Sequence, residues 1–129
     1  MSFYSQMKVD GYECAVLQAS FRLSQQMDLT GKPVAIPLGG TITLKVESTG
    51  DTRFFDWMAS PVQTRSGSVT FYRRDTMSKL KTLEFTDAHC VGYHEIFDCT
   101  GEHPMQIELV LSARTLKLND SEFNNNWPQ

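Results

Sequence analysis

The segment TITLKVE, residues 41–47, decides the fold class, because its apolar and polar side chains alternate without a break. Ile42, Leu44 and Val46 share one parity, and polar residues fall between them. Successive side chains of a strand point to opposite faces, so this alternation predicts a strand with one face in a core. Residues 106–113, QIELVLSA, show the same period.

The rest of the chain is also dominated by a period of two. Six further segments are predicted strands: 3–9, 12–17, 21–27, 68–72, 79–86 and 88–97. Asp10-Gly11 is a favoured hairpin turn, and glycines mark further turns at residues 65–68 and 100–104. Short strands separated by such turns predict a mostly-β fold, either a barrel or a sandwich.

One short helix is predicted at residues 51–58, DTRFFDWM. Phe54, Phe55 and Met58 follow the i, i+1, i+4 spacing of one helical face, and they are expected in the core. Trp57 falls off that face and is expected to be half-exposed. Pro61 ends the segment.

Length and composition are those of an ordinary globular chain. The 129 residues suit a single domain spanning 1–129, and 12 basic against 15 acidic side chains give a net charge of −3. This charge argues against nucleic acid or an anionic membrane as partner, and Arg73-Arg74 beside Asp75 is predicted to be a solvated strand end. No run of about 18 apolar residues predicts a membrane helix. The N-terminus lacks the basic and apolar regions of a signal peptide, so synthesis in the cytosol is expected.

The histidines and cysteines of residues 89–103 are the strongest candidates for metal or nucleophile chemistry. No close pair of zinc ligands is present, and Cys90 and His94, expected on the same strand face, would lie about 13 Å apart. No nucleophile elbow or glycine-rich oxyanion turn accompanies either residue. The residues therefore predict no catalytic group, no metal ligand and no cofactor.

Residues 28–40, DLTGKPVAIPLGG, form the least regular segment. Loops of this length are uncommon in compact domains unless they have a function. The segment is apolar and fixed by two prolines, which suits a partner-binding arm. A loop folded back over its own barrel explains the same composition, and pattern alone leaves both open.

The ordered set of segments resembles the Bacteroidetes branch of type VI secretion tube proteins, the TssD or Hcp-like group. The resemblance covers almost the whole chain, including Asn126-Trp127 near its end. The segments that carry it are 30–33 (TGKP), 39–49 (GGTITLKVEST), 51–58, 67–71 (GSVTF), Arg74-Asp75, 83–85 (LEF), 93–98 (YHEIFD), 104–105 and 111–113.

The resemblance implies a small β-barrel of two sheets with one α-helix alongside and no catalytic residues. It implies homo-hexameric rings that stack into a hollow tube inside a contractile sheath, with a spike protein at the tip and secreted effectors in the lumen. Such a subunit assembles in the cytoplasm and leaves through the apparatus, without a signal peptide or membrane insertion. In this family the long loop after the first strands contacts neighbours. The corresponding interface residues are Asp28, Leu29, Thr30, Gly31, Lys32, Pro33, Val34, Ala35, Ile36, Pro37, Leu38, Gly39 and Gly40.

Two other functions fit the residues without the resemblance. One is a monomeric ligand-binding β-barrel in which residues 28–40 act as a lid. The other is a small hydrolase that uses Cys90 or Cys99 with a histidine.

Overall fold

Seven strands and one helix make up the part of the chain that the computed structural model describes, residues 3–34, 37–76, 78–125 and 127. In chain order they are β1 (Phe3–Val9), β2 (Tyr12–Phe21), β3 (Thr41–Glu47), α1 (Arg53–Ala59), β4 (Arg65–Arg73), β5 (Ser78–Phe97), β6 (Met105–Leu118) and β7 (Ser121–Asn124).

The strands form an antiparallel barrel. Hydrogen bonds join them in the order β3-β2-β1-β4-β5-β6-β7, and β3 also pairs with β6, which closes six strands into a ring. β6 is long enough to pair with β3 along its first half and with β7 near its end, where Leu116 lies opposite Phe123. The mostly-β barrel with one short helix, expected from the sequence, is confirmed.

The two segments with the clearest alternation pair with each other in the barrel wall. Ile42, Leu44 and Val46 are each at most 1% exposed, and they lie opposite Leu111 and its inward-facing neighbours on β6. Burial of an aliphatic side chain of this size contributes about 1.5–3 kcal/mol. The intervening residues of β3 stay accessible on the outside, as the period of two requires.

The Asp10-Gly11 hairpin is confirmed, because both residues have positive φ, as this type of two-residue turn requires. The turn predicted at residues 65–68 is wrong, since these residues lie inside β4. Gly67 is needed there for packing: a Cβ atom would come within 2.4 Å of the Lys8 carbonyl oxygen on the neighbouring strand. A glycine inside a strand often marks such a close approach of two backbones.

The strands predicted at 79–86 and 88–97 form one strand, β5. Asp87 has a φ of 50° and its N–H donates to Ser66 Oγ at 3.1 Å, so the chain bends there without leaving the sheet. The strand predicted at 21–27 is also wrong, because β2 ends at Phe21. No helix in the described part of the chain is long and apolar enough to cross a membrane.

Helix α1 buries a different face from the one predicted. Phe54 and Trp57 are 3% and 0% exposed, whereas Phe55 and Met58 are 58% and 39% exposed. Phe54 packs edge-on against Tyr12, with ring centroids 5.7 Å apart. The i, i+3 pair therefore faces the barrel, and the prediction for Phe55, Trp57 and Met58 is wrong.

Candidate assembly surfaces

The segment between β2 and β3, residues 22–40 and here called the arm, folds as an irregular hairpin. Two isolated β-bridges join its limbs, one between Ser24 and Leu38 and one between Met27 and Pro33. Ser24 and Leu38 exchange backbone hydrogen bonds of 2.8 and 2.6 Å. The arm therefore has a defined conformation although it has no regular strand.

Asp28 closes the tip of the arm. Its Oδ1 accepts hydrogen bonds from Thr30 N at 2.9 Å, Thr30 Oγ1 at 2.6 Å and Lys32 N at 3.0 Å. Gly31 has a φ of +88°, which suits glycine in such a tight turn. The hydrogen bonds from Thr30 and Lys32 lower the pKa of the Asp28 carboxyl, because they stabilise its charged form.

The arm presents apolar side chains to solvent. Leu29 at the tip is 106% exposed, and Met27, Val34 and Leu38 are 68%, 58% and 53% exposed. The alternative of a loop folded back over its own barrel is therefore wrong for the described residues of the arm, which lie outside the core up to Leu38. Large apolar groups held in a defined turn are typical of a protein-protein contact.

The predicted interface residues do not all have the same environment. Gly39 is half-buried and Gly40 is buried at the root of the arm, while Ala35 and Ile36 lie outside the described residues. The remaining members are exposed: Asp28, Leu29, Thr30, Gly31, Lys32, Pro33, Val34, Pro37 and Leu38. Their role as an interface stays a prediction.

The root of the arm is fixed to the barrel by a residue that the sequence analysis missed, Asn125. Its Nδ2 donates to the carbonyl oxygens of Gly39 at 3.1 Å and Ala113 at 2.9 Å. Gly40 has a φ of +92°, and a Cβ atom there would lie 2.6 Å from the Ala113 oxygen. Asn125 lies in an asparagine-rich tail, so composition gives no signal that distinguishes it from its neighbours.

An apolar groove of about 280 Å³ lies beside the root of the arm. Phe21, Leu23, Leu118 and Phe123 contribute to its walls. Leu23 is 54% exposed although it lines the groove, which is therefore open to solvent along the end of the barrel.

Cys90 and His94, two of the histidine and cysteine candidates, lie on opposite faces of β5. A β-bulge between Cys90 and Gly92 places Cys90 opposite the inward-facing Leu111 and His94 opposite the outward-facing Glu108, so the expectation that they share a face is wrong. Burial raises the pKa of the Cys14 thiol to about 12 and also raises the pKa of Cys90, which disfavours the nucleophilic thiolate. Among the described residues, no group of three or more potential ligands is placed to hold a metal ion.

A small polar network links the end of β3 to β5. The carboxylate of Glu95 accepts hydrogen bonds from Ser48 Oγ and from Tyr93 Oη, the latter at 2.7 Å. Both hydrogen bonds lower the pKa of Glu95, and burial raises the pKa of Tyr93 to about 12. An ionised acceptor and protonated donors at neutral pH keep these hydrogen bonds formed, so the network connects Ser48 to β5.

Comparison with known proteins decides the family. Residues 1–128 match the family described as hemolysin coregulated protein Hcp (TssD). The chain belongs to the Hcp family. The resemblance to type VI secretion tube proteins is thereby confirmed.

Solved Hcp structures share the fold. Hcp1 from Flavobacterium johnsoniae is 38% identical with a TM-score of 0.90, and the match covers 95% of this chain and 99% of that one. Hcp1 from Salmonella typhimurium is 15% identical with a TM-score of 0.76, over 95% of this chain and 92% of that one. A search of curated proteins finds no match.

The barrel also occurs outside type VI systems. A chain in the sheath-tube complex of an extracellular contractile injection system, PVC, is 19% identical with a TM-score of 0.55. The match covers 89% of this Hcp chain and 87% of that chain. At this identity the likeness shows the fold alone.

Proposed function

We propose that this Hcp chain is the inner-tube subunit of a type VI secretion machine. Six copies form a ring, rings stack into a hollow tube, and a contractile sheath drives the tube and its spike out of the cell, with effectors carried in the lumen. The subunit assembles in the cytoplasm and is exported by the machine itself. It acts as a structural protein and not as an enzyme.

The observation that carries this proposal is the full-length match to Flavobacterium johnsoniae Hcp1, at 38% identity and a TM-score of 0.90. Pairing of β3 with β6 closes the barrel and occupies the edges of both strands, so we expect side chains and the arm to make most subunit contacts. The occurrence of the same fold in a sheath-tube complex supports a sheath around the tube as well.

The exposed apolar side chains of the arm support the proposal. Leu29, Met27 and Val34 project from a hairpin that the Asp28 turn holds in shape, so little conformational entropy is lost when a neighbour covers them. We assign residues 28–40 to contacts between subunits.

The experiment is electron microscopy of the purified full chain combined with its mass in solution. Six-fold rings with an open centre, or stacks of them, are the expected result. A monomer at high concentration with no rings on the grid would contradict the proposal and favour a ligand-binding barrel.

Deletion of residues 32–38 tests the arm. We expect the barrel to keep its circular dichroism spectrum and cooperative unfolding, because the described residues of this segment pack outside the core. Stacks should disappear from the grid. Tubes of normal length from the deletion variant would show that the arm is dispensable for assembly.

A further inference from the structure

The charged side chains of the barrel are sorted between its two ends. Because neighbouring strands are antiparallel, alternate connections meet at the same end. The arm, the β4–β5 turn and the β6–β7 turn share one end, here called the arm end. The β1–β2 turn, the connections around α1 and the β5–β6 loop share the other, here called the helix end.

Basic residues outnumber acidic ones at the arm end. Seven basic side chains lie there, among them Lys117 next to the β6–β7 turn, against the carboxylates Asp28, Asp75, Glu84, Asp120 and Glu122. None of these basic side chains forms an ion pair with a residue that the structure describes. The other members of the group are Arg22, Lys32, Arg73, Arg74, Lys79 and Lys81.

The helix end has the opposite balance. Its lysine and arginine side chains are already paired, Arg53 with Asp51 at 3.1 Å, Arg65 with Asp10 at 2.8 Å and Lys8 with Glu13 at 3.8 Å. The carboxylates that remain in excess are exposed or only partly covered: Glu47, whose Oε1 lies 2.9 Å from His103 Nδ1, Asp56, Glu95, Asp98 and Glu102. Hydrogen bonds from Thr100 lower the pKa of Asp98, so this charge persists well below neutral pH.

We propose that the arm end of one subunit docks on the helix end of a second copy of this chain, through these opposite charges, as the axial contact between stacked rings. The inference rests on the proposed tube function and adds which surfaces meet and what orients them. Contact between two arm ends or two helix ends brings like charges together and is disfavoured. Contact between unlike ends is heterologous, so every stack of rings keeps one free arm end and one free helix end. Further rings therefore add in a single orientation and the stack has no fixed length.

Ionic strength then regulates tube length. The screening length falls from about 10 Å at 0.1 M salt to about 3 Å at 1 M, so exposed charges facing each other across an interface lose most of their attraction. Rings themselves should survive, provided that their lateral contacts do not use the same end charges. A second copy fits the basic end better than a polyanion does, because the whole chain is acidic, with a net charge of −3.

Two matched charge-reversal variants of the full chain test the contact. Arg73→Glu with Lys79→Glu makes the arm end acidic, and Asp56→Lys, Asp98→Lys and Glu102→Lys together make the helix end basic. All five side chains are exposed, and within the described part of the chain only Asp98 makes side-chain hydrogen bonds, with Thr100 in the β5–β6 loop, so folding of the barrel should be unchanged. The readouts are the ring mass in solution and the length of stacks in electron micrographs between 0.05 and about 0.5 M NaCl, a range across which screening becomes strong.

Wild-type stacks should shorten about tenfold across this salt range, and each variant alone should form rings that do not stack at low salt. An equal mixture of the two variants should stack again, because the acidic ends of one face the basic ends of the other. A single chain carrying all five substitutions should also stack, with its polarity of charge reversed.

The outcomes separate this inference from the proposed function. Absence of rings in the wild-type protein contradicts the tube function itself. Rings that stack to the same length at all salt concentrations, or variants that stack alone, overturn the charge-directed contact while leaving the tube intact. Binding of a DNA oligonucleotide by wild-type rings without salt-dependent stacking would assign the basic end to a polyanion and also overturn it.

Discussion

Leu29 at the tip of the arm gives the sharpest test of the assembly surface. Its side chain is fully exposed in the subunit, so Leu29→Ser should leave the free energy of unfolding within about 0.5 kcal/mol of wild type. If a neighbour covers this side chain in the tube, its removal forfeits the burial of one leucine, about 2 kcal/mol per contact. Since about 1.4 kcal/mol corresponds to a factor of ten, association at each contact should weaken roughly 30-fold.

The assay is the concentration at which half of the protein sediments as stacked rings, measured beside a urea unfolding curve. Leu29→Met keeps an apolar side chain of similar volume and should assemble like wild type. Val91→Ser removes a comparably exposed apolar group from the barrel wall, where Val91 is 53% exposed, and serves as the surface control. The assignment of the arm is refuted if Leu29→Ser assembles at the wild-type concentration, or if it loses no more than Val91→Ser does.

Three further predictions concern the barrel and the arm turn. Gly67→Ala should lower the free energy of unfolding, measured in urea, by about 1–3 kcal/mol, because the added Cβ would be forced against the Lys8 carbonyl oxygen. A variant as stable as wild type would show that β1 and β4 can move apart to accommodate the methyl group. Trp57→Ala should cost about 3–5 kcal/mol and Phe55→Ala about 1 kcal/mol or less, since only Trp57 is buried, and a reversed order would contradict the orientation of α1. The turn at Asp28 should be stable above the ordinary aspartate pKa and loosen as the pH falls through the lowered folded-state pKa, below about pH 4. Amide chemical shifts in the arm would follow this transition, and Asp28→Ala should remove it.

The sequence predicts that the arm is irregular, but it does not predict that the arm is exposed to solvent. Prolines and glycines exclude regular structure between residues 28 and 40, so a long irregular segment is predicted correctly. Whether such a segment covers its own barrel depends on contacts with distant residues, here those of Asn125 and Phe123 at its root. No local pattern encodes these contacts.

Alternation alone determined that this chain is built from strands, and it selected the correct inward residues on β3 and β6, because the side-chain period of a strand is a local property. The ordered motifs determined the family. Register, bulges and helix packing were decided only in three dimensions. The bulge before Gly92 separates Cys90 from His94, and the packing of α1 on the barrel buries Trp57 while leaving Phe55 exposed. The separation of charge between the two ends is likewise a product of topology. Basic residues that are far apart in the sequence, from Arg22 to Lys117, lie at the same end of the barrel because every second connection between antiparallel strands lies there.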